Sequence, residues 1–138
     1  MSGIAISADV QAKFQEMKLG HCYRYIIFRM SDDLTEVIVE KTAPETASYD
    51  DFVAELPEND CRYALYDYEA DMGSDGIRNK LCFVLWCPDS SRIKPKMLYT
   101  STKESMKKVL VGINTEIQAT DYSEIAEDVV KERAMKFV

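Results

Sequence analysis

A chain of 138 residues, 46% hydrophobic and 30% charged, can bury a sizeable core without disulfides or a structural metal, and one domain over residues 1–138 is expected. No apolar run approaches the length of a membrane span, and the start, MSGIAISADVQAKF, lacks the basic-then-apolar pattern of a secretory signal. The net charge of −7 conceals a segregation, with 14 acidic and 2 basic side chains in residues 31–77 against 8 basic and 2 acidic in residues 78–108; this points to a directed electrostatic contact, and a nucleic-acid partner, which would ask for a basic or aromatic-interleaved surface, is not expected.

Residues 2–6, SGIAI, read as a short, uncapped, mobile arm. Ser7 fits an N-cap, Val10, Phe14 and Met17 recur at helical spacing, and Gly20 fits a stop, which predicts a helix over 8–19. CYRYIIFRM (22–30) is aromatic and β-branched, and LTEVIVE (34–40) alternates after an SDD turn, so the two are expected as a hairpin. Ser48 with Asp51 resembles a capping box for a short helix over 48–56, stopped by Pro57. CRYALYDY (61–68) is apolar on both faces and KLCFVLWC (80–87) is the most apolar run in the chain, so both belong inside a sheet covered on each side. Between them, EADMGSDGI (69–77) reads as an exposed turn.

The longest expected helix runs from Lys94 to Gly112. Pro95 suits its first position and Gly112 the left-handed residue past its end. Tyr99, Thr102, Met106 and Leu110 form one stripe suited to a core, while Lys96, Thr100, Lys103 and Lys107 form another suited to water or an acidic partner. A strand over 115–119 follows. Asp121 with Glu124 resembles a capping box opening a last helix to Phe137, with Tyr122, Ile125, Ala126, Val129, Val130 and Ala134 on its apolar side and Glu132, Arg133 and Lys136 on its polar side. The order αββαββαβα implies an α/β (α+β) fold, a central mixed β-sheet sandwiched by helices on both faces.

Chemistry of the catalytic kind is not apparent. Phosphate-loop, dinucleotide, zinc-protease and serine-elbow motifs are all missing from the sequence. Cys22, Cys61, Cys82 and Cys87 lack metal or redox spacing and read as buried free thiols. The only histidine, His21, reads as a surface residue at the start of a strand, pointing away from Cys22. Asp67 and Glu69 share a strand face where a divalent ion would find paired carboxylates, but so acidic a segment yields such pairs by chance. No metal, no cofactor and no enzymatic activity are expected.

Four strings carry a resemblance that spans the whole chain: RYALYDYE (62–69), WCPDS (86–90), KPKMLYTSTKESMKK (94–108) with LVGI (110–113), and QATD (118–121). In these the chain resembles the actin-depolymerising factor/cofilin family, and among its members is most similar to the amoebal ones. The resemblance implies a single ADF-homology domain that binds G-actin and F-actin, severs and depolymerises filaments and promotes actin turnover, acting as a monomer in the cytoplasm and cytoskeleton. It implies a surface for monomer and filament made of Ser2, Gly3, Ile4, Lys94, Lys96, Met97, Lys103, Lys107 and Leu110. A second, filament-only surface is implied at Arg78, Lys80, Glu132, Arg133 and Lys136. Ser2 matches the family's regulatory phosphorylation position, and phosphoinositide headgroups are implied as competitors of actin for the basic helix. Val109 stands where relatives often carry a third consecutive lysine, and Pro95 replaces a usual serine. The alternative is a coactosin-like filament side-binder without severing activity, against which the N-terminal arm and the Lys94/Lys96 pair argue.

Overall fold

In the computed structural model, which describes residues 3–136, six strands form one sheet. The strands are β1 (Ala5–Ile6), β2 (Tyr23–Met30), β3 (Glu36–Pro44), β4 (Arg62–Asp71), β5 (Ile77–Trp86) and β6 (Thr115–Ala119). The helices are α1 (Ala8–Gly20), α2 (Tyr49–Ala54), α3 (Ile93–Val109) and α4 (Glu127–Met135). Across the sheet the order is β1-β3-β2-β4-β5-β6, with the two outermost strands parallel to their neighbours and the four inner ones antiparallel.

Strand alternation sorts the apolar residues into two layers. Ile26, Phe28, Tyr63, Leu65, Phe83 and Leu85 meet Val10, Phe14 and Met17 of α1, Tyr99 and Met106 of α3, and Leu110 at the cap of α3. Tyr25, Ile27, Tyr66, Cys82, Val84 and Trp86 meet Tyr49 and Phe52 of α2 and Val130 and Ala134 of α4. Because β2, β4 and β5 carry apolar side chains on both faces, they sit in the interior of the sheet, as composition predicts for β4 and β5.

Several local features match the expectations. The β2–β3 hairpin forms, β6 covers 115–119, and Ser48 and Asp51 close a reciprocal capping box on α2. Others differ for identifiable reasons. The arm is not free throughout: Ala5 N–H donates to Thr35 O at 3.0 Å and Ser7 N–H to Val37 O at 2.9 Å, making an edge strand. Gly20 is the last residue of α1, and His21 takes the left-handed cap position at φ 50°, with its Nδ1 3.0 Å from Asp67 Oδ2. Cys22 is exposed while the other three cysteines are buried. The β4–β5 ladder continues to the Asp71–Ile77 pair, so the expected loop shrinks to Met72–Gly76, where Gly73 and Gly76 supply positive φ.

The remaining differences concern helix starts. Arg92 is the N-cap of α3 without a side-chain bond, so Pro95 is the third helical residue, still in the first turn where an amide has no intrahelical acceptor. The last helix is split. Asp121 caps a 3-10 turn over Tyr122–Ile125, but Glu124 turns back to accept from Thr120 N–H and hydroxyl, both at 2.7 Å. Ala126 is extended at ψ 146°, and α4 starts at Glu127, leaving Val129 exposed against expectation. The expected end at Phe137 lies outside the described residues.

Tyr99 ties helix α3 to two strands of the sheet. Met30 N–H donates to the Tyr99 hydroxyl at 2.8 Å, and the Tyr63 hydroxyl donates to the Tyr99 carbonyl. Burial pushes the Tyr99 hydroxyl up to about 12. Replacing Tyr99 by Phe would strand the Met30 amide in the core and should cost about 1–3 kcal/mol of stability in urea unfolding. A midpoint equal to the parent's would show that this bond does not hold the helix.

Candidate functional site

With Tyr99, Thr102 and Met106 buried, the opposite side of α3 is turned outward. Its first turns carry a feature that charge patterning alone did not reveal. Ile93 and Met97 are 75% and 66% exposed, and four-residue spacing puts them side by side as an apolar ridge. Lys94 is exposed beside it. Ile93 went unnoticed because it precedes the apolar stripe and belongs to none of the strings that carry the resemblance; its signal was an apolar residue off the buried face of an amphipathic helix.

The lysine row is only partly a free row. Lys96 is half-buried and its Nζ donates to Asp89 O at 3.2 Å. Lys103 Nζ lies 3.0 Å from Glu116 Oε1, and Lys107 Nζ lies 2.8 Å from Glu116 Oε2 and 3.6 Å from Glu104. Glu116 is paired with Phe83 in the β5–β6 register, so its side chain points to the α3 face. The hydrogen bond from Lys107, followed by those from Lys103, outweighs partial desolvation and holds the Glu116 carboxyl below its ordinary value. The same bond pushes the Lys107 ammonium up. Leu110 is corrected: it is wholly buried in the α1/α3 layer, anchors the end of the helix and offers no contact surface.

Strand register brings the arm to the same end of the sheet. Ile6 pairs with Val37, and Val37 with Met30, whose amide is held by Tyr99. Gly3 is exposed and Ile4 half-buried against the α1/α3 layer; Ser2 lies outside the described residues. Next to the start of α3 opens a groove of about 750 Å³ whose largely polar lining includes Arg29, Asp32, Arg62 and Arg92 beside Leu34 and Pro95.

The second predicted cluster lies elsewhere. Arg78 is exposed near the tip of the β4–β5 hairpin, Glu132 and Arg133 are exposed on α4, and Lys136 is exposed just past its end. Arg133 Nη2 donates to the backbone carbonyl of Glu116 at 2.8 Å. Lys80 departs from the expectation of an exposed charge. It is 8% exposed, because alternation places it with Cys82 and Val84 on the α2/α4 face. The two clusters therefore sit on opposite faces of the sheet, with Glu116 on the edge strand between them.

The sequence profile of cofilin/tropomyosin-type actin-binding proteins matches residues 3–135. The chain belongs to the cofilin/ADF family. Actophorin from Acanthamoeba castellanii is 57% identical over 138 residues, spanning 100% of this chain and 99% of that one. Cofilin from Mycosarcoma maydis is 50% identical over 135 residues, spanning 98% and 96%. The crystal structure of Streptomyces griseoflavus cofilin superposes with a TM-score of 0.91 at 42% identity, covering 99% of this chain and 100% of that one. The cofilin/ADF family is one of actin-binding proteins and not of enzymes.

The acidic pair considered for a divalent ion in this cofilin/ADF chain is already occupied by internal partners. Asp67 is 3.0 Å from both His21 Nδ1 and Asn79 Nδ2, and Glu69 is paired with Arg24. Among the described residues no three His, Cys, Asp or Glu side chains converge on a metal position, and no helix is long and apolar enough to cross a membrane.

The lowered Glu116 value has a signed consequence. A carboxyl depressed in the folded state contributes stability that is fully present above its ordinary value of 4.5 and is lost as pH falls through the folded value. The stability gap between the parent and Glu116→Gln should therefore be constant above about pH 5 and close on acidification. Urea midpoints measured across pH check this, and a gap that widens in acid would contradict the pairing.

Proposed function

We propose that this chain binds actin monomers and filaments and drives filament severing and depolymerisation through the end where the N-terminal arm meets α3. The carrying observation is the Ile93/Met97 ridge, an apolar pair more than half exposed on a helix locked to the core from behind, in a chain of an actin-binding family. Such a ridge suits insertion of a helix face into an apolar cleft, with Gly3, Ile4, Lys94, Lys96, Lys103 and Lys107 around it. Apolar burial would set residence time, and the lysines would set the rate of encounter and its salt dependence. Leu110 supports this surface from within the core.

A second surface, used with filaments only, comprises Arg78, Lys80, Glu132, Arg133 and Lys136, with all but Lys80 exposed. The protein acts as a monomer, in the cytoplasmic cytoskeleton. Lys94→Ala/Lys96→Ala should weaken monomer and filament binding alike, by about tenfold or more. Arg78→Ala/Lys136→Ala should spare monomers while weakening filament binding and severing. Cosedimentation and pyrene-actin disassembly measure both. Unchanged binding by the first variant would remove the α3 assignment, and equal loss by the second would remove the two-surface assignment. Filament binding without faster disassembly would favour the coactosin-like reading.

Ser2 extends the same electrostatic logic. A phosphate there would add about −2 charge to a chain whose lysines attract an acidic partner, switching binding off. Phosphoinositide headgroups, attracted to the same lysines, would compete with actin. Ser2→Glu should bind actin more weakly than the parent, and phosphoinositide vesicles should displace the parent from actin where neutral vesicles do not. A Ser2→Glu protein that binds like the parent would refute the switch, and equal displacement by both vesicle types would refute the competition.

A further inference from the structure

Among the described residues, Glu116 is the one carboxylate from outside α3 that engages two of its lysines, and it does so as a fixed post. Its Oε1 is 3.0 Å from Lys103 Nζ and its Oε2 2.8 Å from Lys107 Nζ. Its backbone carbonyl accepts from Arg133 Nη2 of α4 at 2.8 Å. Its carboxylate is 32% exposed, and the two lysine side chains 32% or less. Glu104 differs: its side chain is 70% exposed, belongs to α3 itself and stands 3.6 Å from Lys107. A carboxylate held within hydrogen-bond distance competes with any partner's carboxylate at a permanently high effective concentration.

We propose that Glu116 is a positioning residue that withholds Lys103 and Lys107 from an acidic partner, so that docking requires the partner's carboxylates to displace or share it. The inference rests on the actin reading above. Glu116 then limits filament affinity, and the two lysines contribute less to binding than their charges alone would give. Since the Arg133 bond is to a backbone carbonyl, changing the Glu116 side chain leaves the tie to α4 in place.

The test compares filament cosedimentation of the full chain at several KCl concentrations. Glu116→Gln should bind about three- to fivefold tighter at low salt, with a steeper loss of affinity as salt rises. The gain should fall to less than half in a Lys103→Ala/Lys107→Ala background, where no lysine is left to release. Glu45→Gln, the same charge change in an exposed loop far along the chain, should gain less than Glu116→Gln. Glu116→Asp adds a readout that net charge cannot move, since it keeps the charge but draws the carboxylate back by about 1.5 Å; it too should bind tighter than the parent. Thermal melts confirm that each variant is folded, and Glu116→Asp decides the matter if Glu116→Gln does not fold. Unchanged or weaker binding by folded Glu116 variants, or an equal gain with and without the two lysines, would overturn the inference while leaving the actin reading intact. A parent chain that fails to bind filaments would overturn both.

Discussion

Tyr99 is bonded at both ends of the residue, its hydroxyl accepting from Met30 at the end of β2 and its carbonyl accepting from Tyr63 in β4. Both bonds lie in a layer from which water is excluded, where a lost partner costs more than a made one contributes. They fix α3 in translation and rotation against two different strands. Everything on the outer side of that helix inherits its position from this inner attachment. The Ile93/Met97 ridge can stay exposed only because the opposite stripe of Tyr99, Thr102 and Met106 supplies the burial that holds the helix.

Charge is distributed by a similar division of labour. The basic segment of an acidic chain is not a uniform cationic face: Lys94 stands exposed at one end of α3, while Lys103 and Lys107 are gathered by Glu116 towards the other. Exposed positive charge, on Arg92 and Lys94, stands at the end that also carries the apolar ridge. Apolar contact and charge attraction converge on the same two turns, where each reinforces the other. The sheet separates this region from α4, and Glu116 of β6 touches both sides with different groups, its carboxylate on one and its carbonyl on the other.

Much of this was legible in residue order alone. The α1 and α3 stripes, the Ser48/Asp51 box and the two-sided apolar strands follow from periodicities of 3.6 and 2, which are local properties. What escaped depends on partners distant in sequence. Ala5 and Ile6 are too few to show an alternation, and they become a strand only because Thr35 and Val37 offer a ladder. Asp71 and Ile77 read as loop residues because they lie past the covered part of the sheet, where hydrogen bonding continues after hydrophobic patterning stops. Glu124 satisfied the spacing of a capping box but found a closer donor in Thr120. The pairing of Lys103 and Lys107 with Glu116 had no local signature, and neither did the covering of Lys80, since each is set by the position of another element. For the site, family strings located α3, its lysines and Met97, but which lysines stand free and that Ile93 protrudes beside Met97 emerged only from packing.

The short β1 has a consequence for how copies of this chain meet one another. It pairs only with Glu36 and Val37, so most of the outer rim of the nine-residue β3 is left uncovered, and an open rim is a template for stacking a further chain. That rim carries Glu40 and Lys41, ends in Pro44, and is distorted where its register with β2 shifts between Ile27 and Phe28. Charge, a missing amide and a kink each spoil the regular comb of donors and acceptors that self-stacking requires. A protein whose work is to take apart one polymer is thereby kept from seeding another made of itself.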